Sequence, residues 1–490
     1  MAILKWAVSL LLLLLVVLLL NTLNFKVQEV RIPAALDNSA INKNAVAHRL
    51  SKALQFQTIS SADVENKAPF LAFHAFLKNS FPQLHKTLQL EVVNDLSLLY
   101  FWQGSDPTLK PMLLMSHLDV VPADNETLDR WKHAPFSGII ENGNIWGRGA
   151  IDIKSGVMAS LEAVEDLISQ GFQPKRSLYL AFGHDEEVGG KQGAKAIATL
   201  LRQRKVALEF ILDEGGSIVG GGIIPGVENQ VALIGIAEKG YVSLKLTTKA
   251  AGGHSSMPDK HSALGIIAKA LVDLENTPFP ANLDISKALF KNIGPAMTGL
   301  NKVIFANMWL TEPIVERVLS NSKTTNATIR TTTAVTMAKG SSKDNILPSE
   351  ATATVNFRIM PGETVQSVID YVIDVIGNKN IQVSSVGGFG NNPSSVSDSE
   401  SLNFELIKNS IYRVTQDTRL IVTPYLVVGA TDAQHYTKLS NNIYRFAFNR
   451  LNPEALDRMH GINERITVKD YIDVIRFFRE VILGANAHDS

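Results

Sequence analysis

His117 and Asp119 lie two residues apart at the end of the apolar run 111–115, and side chains at i and i+2 of a strand share a side. An imidazole beside a carboxylate at the carboxyl end of a buried strand can begin a metal or catalytic site. Such a triplet is common, so its meaning rests on what other strand ends supply. Asp152 follows the turn Gly147-Arg148-Gly149, and Glu186 and Glu187 follow the apolar run 177–182. Asp213 ends the run 208–212, and His460 precedes Gly461. Imidazole and carboxylate donors of this kind suit a pair of zinc-type ions sharing one carboxylate. The chemistry also needs a carboxylate that takes a proton from water, and the adjacent pair Glu186-Glu187 can supply a ligand and a base. Each acid alone reads as a solvated loop residue; five segments together argue against coincidence. Glu214 competes with Asp213, whose place at the strand end is the more rigid. His184 reads as packing or as support behind the acids, and His133 and His435 as surface histidines.

These groups need a rigid frame. Helical spacing appears at 45–54 and 68–76, then strand patterns at 88–93 and 96–102, split by Asn94-Asp95. After the His117 strand come a short strand at 145–146, a helix at 157–168 stopping at Gly171, and a strand at 177–182. A helix at 194–204 and a strand at 208–212 follow. Alternating strands and helices with acids at the strand ends predict a doubly wound α/β layout. The glycines of 147–156 fit neither dinucleotide nor P-loop spacing.

Near Ala237 the pattern changes. A half-exposed strand at 241–247, a loop at Gly252-Gly253-His254 and a helix at 263–274 precede a long, weakly periodic stretch to 326. Strands at 329–336 and 351–357, a helix at 365–376 and a strand at 381–386 complete an α+β insert with an antiparallel sheet. Residues 387–399 read as a Gly/Ser/Asn linker. The α/β pattern then returns: helix 402–414, strands 421–422 and 443–446, final helix 468–483. The expected division is an N-terminal segment (1–25), a first catalytic part (26–237), an insert (238–390) and a second catalytic part (391–490). Apolar stretches at 303–305 and 308–310 are candidates to line an acyl pocket or pack on a partner subunit.

Composition sets limits. A chain of 490 residues is too long for one ordinary core. Its 47 basic and 47 acidic residues cancel, leaving no basic footprint for nucleic acid. Cysteine is absent, so any metal must be held by His, Asp and Glu, which suits zinc, manganese or cobalt. Residues 6–20 are hydrophobic apart from Ser9, and 2–23 are long enough to cross a bilayer. With no small-x-small cleavage site behind it, the segment reads as an uncleaved signal anchor rather than a removed secretory signal. The rest of the chain is then expected outside the cytoplasm (periplasmic or lumenal), or secreted if cleaved, beyond a polar tether at 38–44.

Taken together, Met-Ser-His117-Leu-Asp119-Val-Val-Pro, Gly-Arg-Gly-Ala-Ile-Asp152-Ile-Lys, Gly-His-Asp-Glu186-Glu187-Val-Gly-Gly, Asp213-Glu-Gly-Gly, Gly-Gly-His254-Ser-Ser-Met-Pro and His460-Gly-Ile-Asn-Glu closely resemble the dinuclear-zinc aminoacylase/carboxypeptidase family. The stretches around Arg358 and at 443–446 look most like its carboxypeptidase S and N-fatty-acyl-amino-acid synthase/hydrolase branch. The resemblance covers 45–483. It implies a doubly wound zinc-peptidase domain with an inserted ferredoxin-like lid and dimerisation domain, two zinc ions per subunit (cobalt or manganese as substitutes) and a homodimer. By the same resemblance His117 and Asp213 would hold one zinc, Glu187 and His460 the other, and Asp152 would bridge them. Asp119 would orient His117, and Glu186 would be the general base. His254 would reach the partner's active site to stabilise an oxyanion, Asn345 and Arg358 would bind the substrate carboxylate, and Asp432 would touch substrate. The implied activity is cleavage of the amide bond of N-acyl amino acids or short peptides with a free carboxyl end. The alternatives are the same site used in condensation, or a non-catalytic anchored binding protein, which would have no use for an intact donor set.

Overall fold

The structure is a computed structural model describing residues 1–27, 29–36, 41–61 and 66–487, so part of the expected tether, 38–40, lies outside the described residues. The apolar runs form the middle of a ten-stranded sheet. Its order is Gln89–Val93, Ser97–Trp102, Leu178–Gly183, Met112–His117, Ile211–Asp213, Ile443–Arg445, Val231–Glu238, Ile218–Val219 and Arg450–Leu451, with Ile421–Val427 parallel to Val231–Glu238. The central strands are parallel and in register, pairing His117 with Gly183, Leu114 with Leu212, and Arg445 with Asp213. Their carboxyl ends therefore share one edge, where a doubly wound sheet places its site.

Alternation along the His117 strand divides the core. Met112 and Leu114 pack with helices Lys154–Ser169 and Val468–Ala487, while Leu113 and Met115 pack with Ile197, Ala198 and Leu201 of Ala194–Gln203. Helices thus cover both faces, and a strand buried on both sides must be continuously apolar.

The chain leaves this sheet at Glu238 and enters a second one at Gly240. Between them Lys239 is buried, its ammonium donating to the carbonyls of Ala327 (2.9 Å) and Arg330 (2.7 Å), where the chain re-enters the insert. The second sheet runs Thr332–Lys339, Glu350–Ile359, Gly240–Lys249, Ile381–Asn391, all antiparallel. Helices Ala263–Asn276 and Val365–Ile376 cover one face, giving a β-α-β-β-α-β order of ferredoxin-like type. Val242, Leu244, Leu246, Val355, Ile267 and Val372 form its core, separate from that of the large sheet.

The largest departures from the expected elements fall in three places. Strand Val231–Glu238 has no counterpart in the sequence reading, and the first third of the expected linker is the end of strand Ile381–Asn391. The weakly periodic stretch to 326 contains helices Asp284–Ile293, Gly299–Ala306 and Met308–Ser320. Gly294-Pro295 and Asn307 break the pattern into pieces too short for a helical period to stand out. These helices pack mainly on the large sheet: Phe290, Ile293, Val315 and Leu319 share a core with Val219, Val231 and Ile421. Ile304, Phe305 and Met308 pack against that core, and Trp309 and Leu310 are exposed.

Candidate active site

At the carboxyl edge, Asp152 stands between two imidazoles. Its Oδ1 is 3.1 Å from His117 Nε2 and its Oδ2 is 2.9 Å from His460 Nε2. His117 is buried at its strand end, whereas His460 is half-exposed on a loop with positive φ. Glu187 Oε2 lies 3.4 Å from His460 Nε2, and its Oε1 is buried without a hydrogen-bond partner. Burial alone would raise the Asp152 carboxyl, but hydrogen bonds from His117 and His460 win and hold it below the usual range. The same contacts with Asp152 and Glu187 push His460 up to about 10.

Asp119 organises the two loops that meet there. Fully buried, it has Oδ1 3.3 Å from His117 Nδ1, whose proton also faces the Asp119 carbonyl at 3.0 Å. The same carboxylate accepts the backbone N–H groups of Glu186 (3.2 Å) and Glu187 (3.1 Å) and the hydroxyl of Ser60 (2.5 Å). One side chain thus fixes the tautomer of an imidazole and the position of two adjacent glutamates. Burial drives the Glu186 carboxyl well above its ordinary range, assisted by nearby acids including Asp432 and Glu214. Gly190 closes the turn with φ +63°, and a Cβ there would fall 2.1 Å from Asp432 Oδ1, so the close approach requires glycine.

Asp213 and Glu214 point different ways. Asp213, expected at the metal, turns Oδ2 to the backbone N–H of Ala433 (2.8 Å), and Glu214 Oε1 approaches His117 Nε2 at 3.2 Å. Asp432, expected at the substrate, is buried against Gly183 and Gly190 with Oδ2 unpartnered, and burial with Asp213 nearby raises it well above the usual carboxylate range. The residues expected to bind substrate from the insert lie apart from this cluster. His254 is exposed on a two-residue strand paired with Ile346–Leu347, its Nδ1 accepting from Ser256 Oγ (2.8 Å). The Asn345 carbonyl accepts from Ser255 N–H, and Arg358 lies over the Tyr241 ring at 5.0 Å. His184 is buried, with Nδ1 2.6 Å from Ser97 Oγ, and His435 lies 3.2 Å from the Gly189 carbonyl.

Glu464 and Arg148, for which the sequence predicts no role, are both buried beneath the site. Glu464 Oε1 accepts N–H groups from Gly149 (3.1 Å), Ile151 (2.8 Å) and Asp152 (3.2 Å), while Oε2 takes Arg148 Nη1 at 2.8 Å. Arg148 Nη2 donates to the His460 carbonyl at 3.2 Å. One ion pair therefore holds both the Asp152 loop and the His460 loop. The Asp152–Ile153 peptide is cis. A carboxylate inside a fixed motif, four residues after His460, was the available signal.

Two overlapping donor groups, His117 with Asp152 and Glu187 and His117 with Glu186 and Glu214, each offer atoms within 4.8 Å of one another. An orphaned buried oxygen on Glu187, a carboxylate spread between two imidazoles and an all-N/O donor set fit a divalent metal of the zinc type. A doubly wound sheet with such a cluster at its carboxyl edge, carrying a ferredoxin-like insert, defines a metal-dependent hydrolase. Residues 113–484 match the model of peptidase family M20/M25/M40, and the chain belongs to that family. It is 41% identical to "Probable carboxypeptidase S-like 2" of Dictyostelium discoideum, over 96% of this chain and 91% of the relative. It is 38% identical to the N-fatty-acyl-amino acid synthase/hydrolase PM20D1 of Mus musculus, over 94% and 91%. The fold is that of the M20 metallo-carboxypeptidase Sso-CP2 of Sulfolobus solfataricus, with a TM-score of 0.62 and 19% identity over 91% of this chain and 99% of that one. The protein is accordingly an enzyme, a metallopeptidase/amidohydrolase.

Proposed function

We propose that this enzyme uses two zinc ions to hydrolyse the amide bond of N-acyl amino acids or short peptides with a free carboxyl end. The observation that carries the reading is the Asp152 carboxylate, with one oxygen toward His117 and the other toward His460, as a bridging ligand between two metals would be. In this reading His117 and Asp213 would hold one ion, Glu187 and His460 the other, with cobalt or manganese as substitutes. Zinc bound there would polarise the scissile carbonyl and lower the pKa of water. Glu186, held by Asp119 through its N–H, takes the proton of the attacking water and passes it to the leaving nitrogen. Arg358 presents a planar fork to the substrate carboxylate, assisted by Asn345, with Asp432 as a further substrate contact. The names of the Dictyostelium and mouse relatives support a carboxypeptidase- or acyl-amino-acid-type substrate, and the mouse name also supports the same site running in condensation.

Around the site we propose a catalytic domain of residues 26–237 with 391–490 and an insert of 238–390 acting as lid and dimerisation domain. The separate core formed by 242–279 and 351–381 supports that division, the helices of 284–320 lying on the large sheet instead, and residues 251–261, all exposed, are available to a partner subunit. Residues 1–25 would anchor the homodimer, with the catalytic domain extracytoplasmic. The test is Glu186→Gln with metal analysis and a panel of N-acyl amino acids and dipeptides. Both metals should remain while turnover falls on the order of 10²–10⁴-fold. Retention of more than about a tenth of the rate would remove Glu186 from the role of base.

A further inference from the structure

The helix Ala2–Asn24 does not hang free of the body. Leu14, Val17, Leu18, Asn21 and Thr22 form a half-buried stripe at helical spacing, while residues 1–13 are all exposed. The stripe meets helix Gly299–Ala306 and the residue after it, Asn307, which is fully buried. Asn21 Nδ2 donates to Asn307 Oδ1 at 3.0 Å, and Asn307 Nδ2 donates to the Leu18 carbonyl and Thr22 Oγ1 at 3.2 and 3.3 Å. Phe25 then packs so closely on Gly294 that a Cβ there would meet the ring at 2.7 Å. The helix leaves the protein at a fixed place.

Beside this junction, helix Met308–Ser320 buries Val315 and Leu319 and turns Leu310, Ile314 and Val318, spaced by four, to the outside at 44%, 52% and 60% exposure. Trp309 (62%) and, on the adjoining helix, Leu300 (72%) are further exposed apolar side chains, and the same two helices carry Lys302 and Arg317. Length decides what covers it. At 1.5 Å per residue the twelve undocked helical residues span roughly 18 Å, well short of a hydrocarbon core of about 30 Å, whereas all 23 span roughly 35 Å. A bilayer-spanning helix must therefore carry its docked half into the membrane, and Gly299–Ala306 with it.

We propose that helices Gly299–Ala306 and Met308–Ser320 form a membrane-embedded platform, with Leu300, Trp309, Leu310, Ile314 and Val318 inserted into the leaflet from which the anchor emerges. The inference rests on the anchor reading above and goes beyond it, because a tether alone would leave the body in water. Trp309 takes the interfacial place that tryptophan favours, and Lys302 and Arg317 extend their ammonium and guanidinium groups to the headgroups.

The absence of cysteine makes the test direct. Val16→Cys, Ile314→Cys, Val318→Cys and the lid control Lys379→Cys, each in the full chain, are labelled with an environment-sensitive fluorophore and reconstituted in phosphatidylcholine vesicles with and without brominated acyl chains. Blue-shifted emission quenched by brominated lipid is expected at 16, 314 and 318 and not at 379. Quenching at 16 with water-like emission at 314 and 318 overturns the platform and leaves the anchor standing. Water-like emission at 16 removes the anchor and the platform with it. A blue shift at 314 and 318 without quenching means that protein, such as a second copy of the chain, covers the strip, and overturns the lipid assignment.

Discussion

At Glu186 and Glu187 the backbone decides what two identical side chains do. Asp119 holds both N–H groups, and from one short turn Glu187 joins Asp152 and His460 while Glu186 joins Glu214, both within reach of His117. A similar choice arises at Asp213 and Glu214. Asp213 ends its strand with one oxygen fixed by Ala433 N–H, and ligating carboxylates are commonly held by such a second hydrogen bond. Glu214 reaches His117 with a longer side chain from one position further on. Asp213→Asn is expected to lower bound metal from two equivalents toward one, and Glu214→Gln to keep two; metal analysis of the purified variants decides, and the reverse pattern gives the ligand place to Glu214. Sequence could bring the acids to one edge because each follows an apolar run or a glycine turn. It could not settle which of two adjacent acids faces the site, because strand alternation says only that neighbours point oppositely. Ser60 escaped notice for a related reason: a lone hydroxyl in a loop carries no spacing signal.

At the scale of elements, the site is assembled from loops that the sheet brings close and buried charges hold in place. Arg445 is fully buried and meets Glu238 through Nε (3.2 Å) and Nη2 (3.0 Å), and the Glu238 carboxylate in turn accepts Thr431 N–H, placing the 431–433 loop behind Asp213. The Arg148–Glu464 pair does the same for Asp152 and His460. Replacing Glu464 by Ala would leave Arg148 buried and unpaired, a loss of about 3–5 kcal/mol by the cost of breaking such pairs, measurable by urea denaturation. Glu464→Gln can still accept the three loop N–H groups but loses the charge. It is expected to fold, and to bind metal about 10–100-fold more weakly, the usual consequence of loosening a ligand's support. Metal titration followed by assay at saturating metal should recover most of the turnover, whereas a deficit persisting at full occupancy would mean that Glu464 does more than position ligands. Long buried strands and amphipathic helices of this framework were legible because their periods are long and clean. The helices between 284 and 320 were not, since Gly294-Pro295, Asn307 and Pro313 cut their apolar faces into fragments.

The whole molecule joins two cores through four narrow crossings, at 238–240, 280–283, 327–331 and 392–394, and Lys239 binds the first to the third. A small sheet hinged in this way can carry residues to a site that its own subunit does not complete. His254 makes no contact with the donor cluster among the described residues; it lies on an exposed loop whose ring partner is Ser256 and whose neighbour Met257 is 80% exposed. The resemblance to the aminoacylase/carboxypeptidase family supplied the idea that this histidine serves the other subunit; composition and periodicity could not, because they describe one chain. If it does, the His254→Ala and Glu186→Gln homodimers are both inactive for different reasons, and their lesions lie in opposite halves of each composite site. In a mixed dimer one site combines an intact metal centre and base with the unaltered histidine of the Glu186→Gln subunit. Random exchange of equal amounts puts half of the dimers in that mixed state, each with one working site of two. About a quarter of wild-type activity is therefore expected after exchange, by simple binomial mixing of a two-fold assembly. Differently tagged subunits confirm exchange by co-purification, and confirmed exchange with no recovered activity would return His254 to its own subunit.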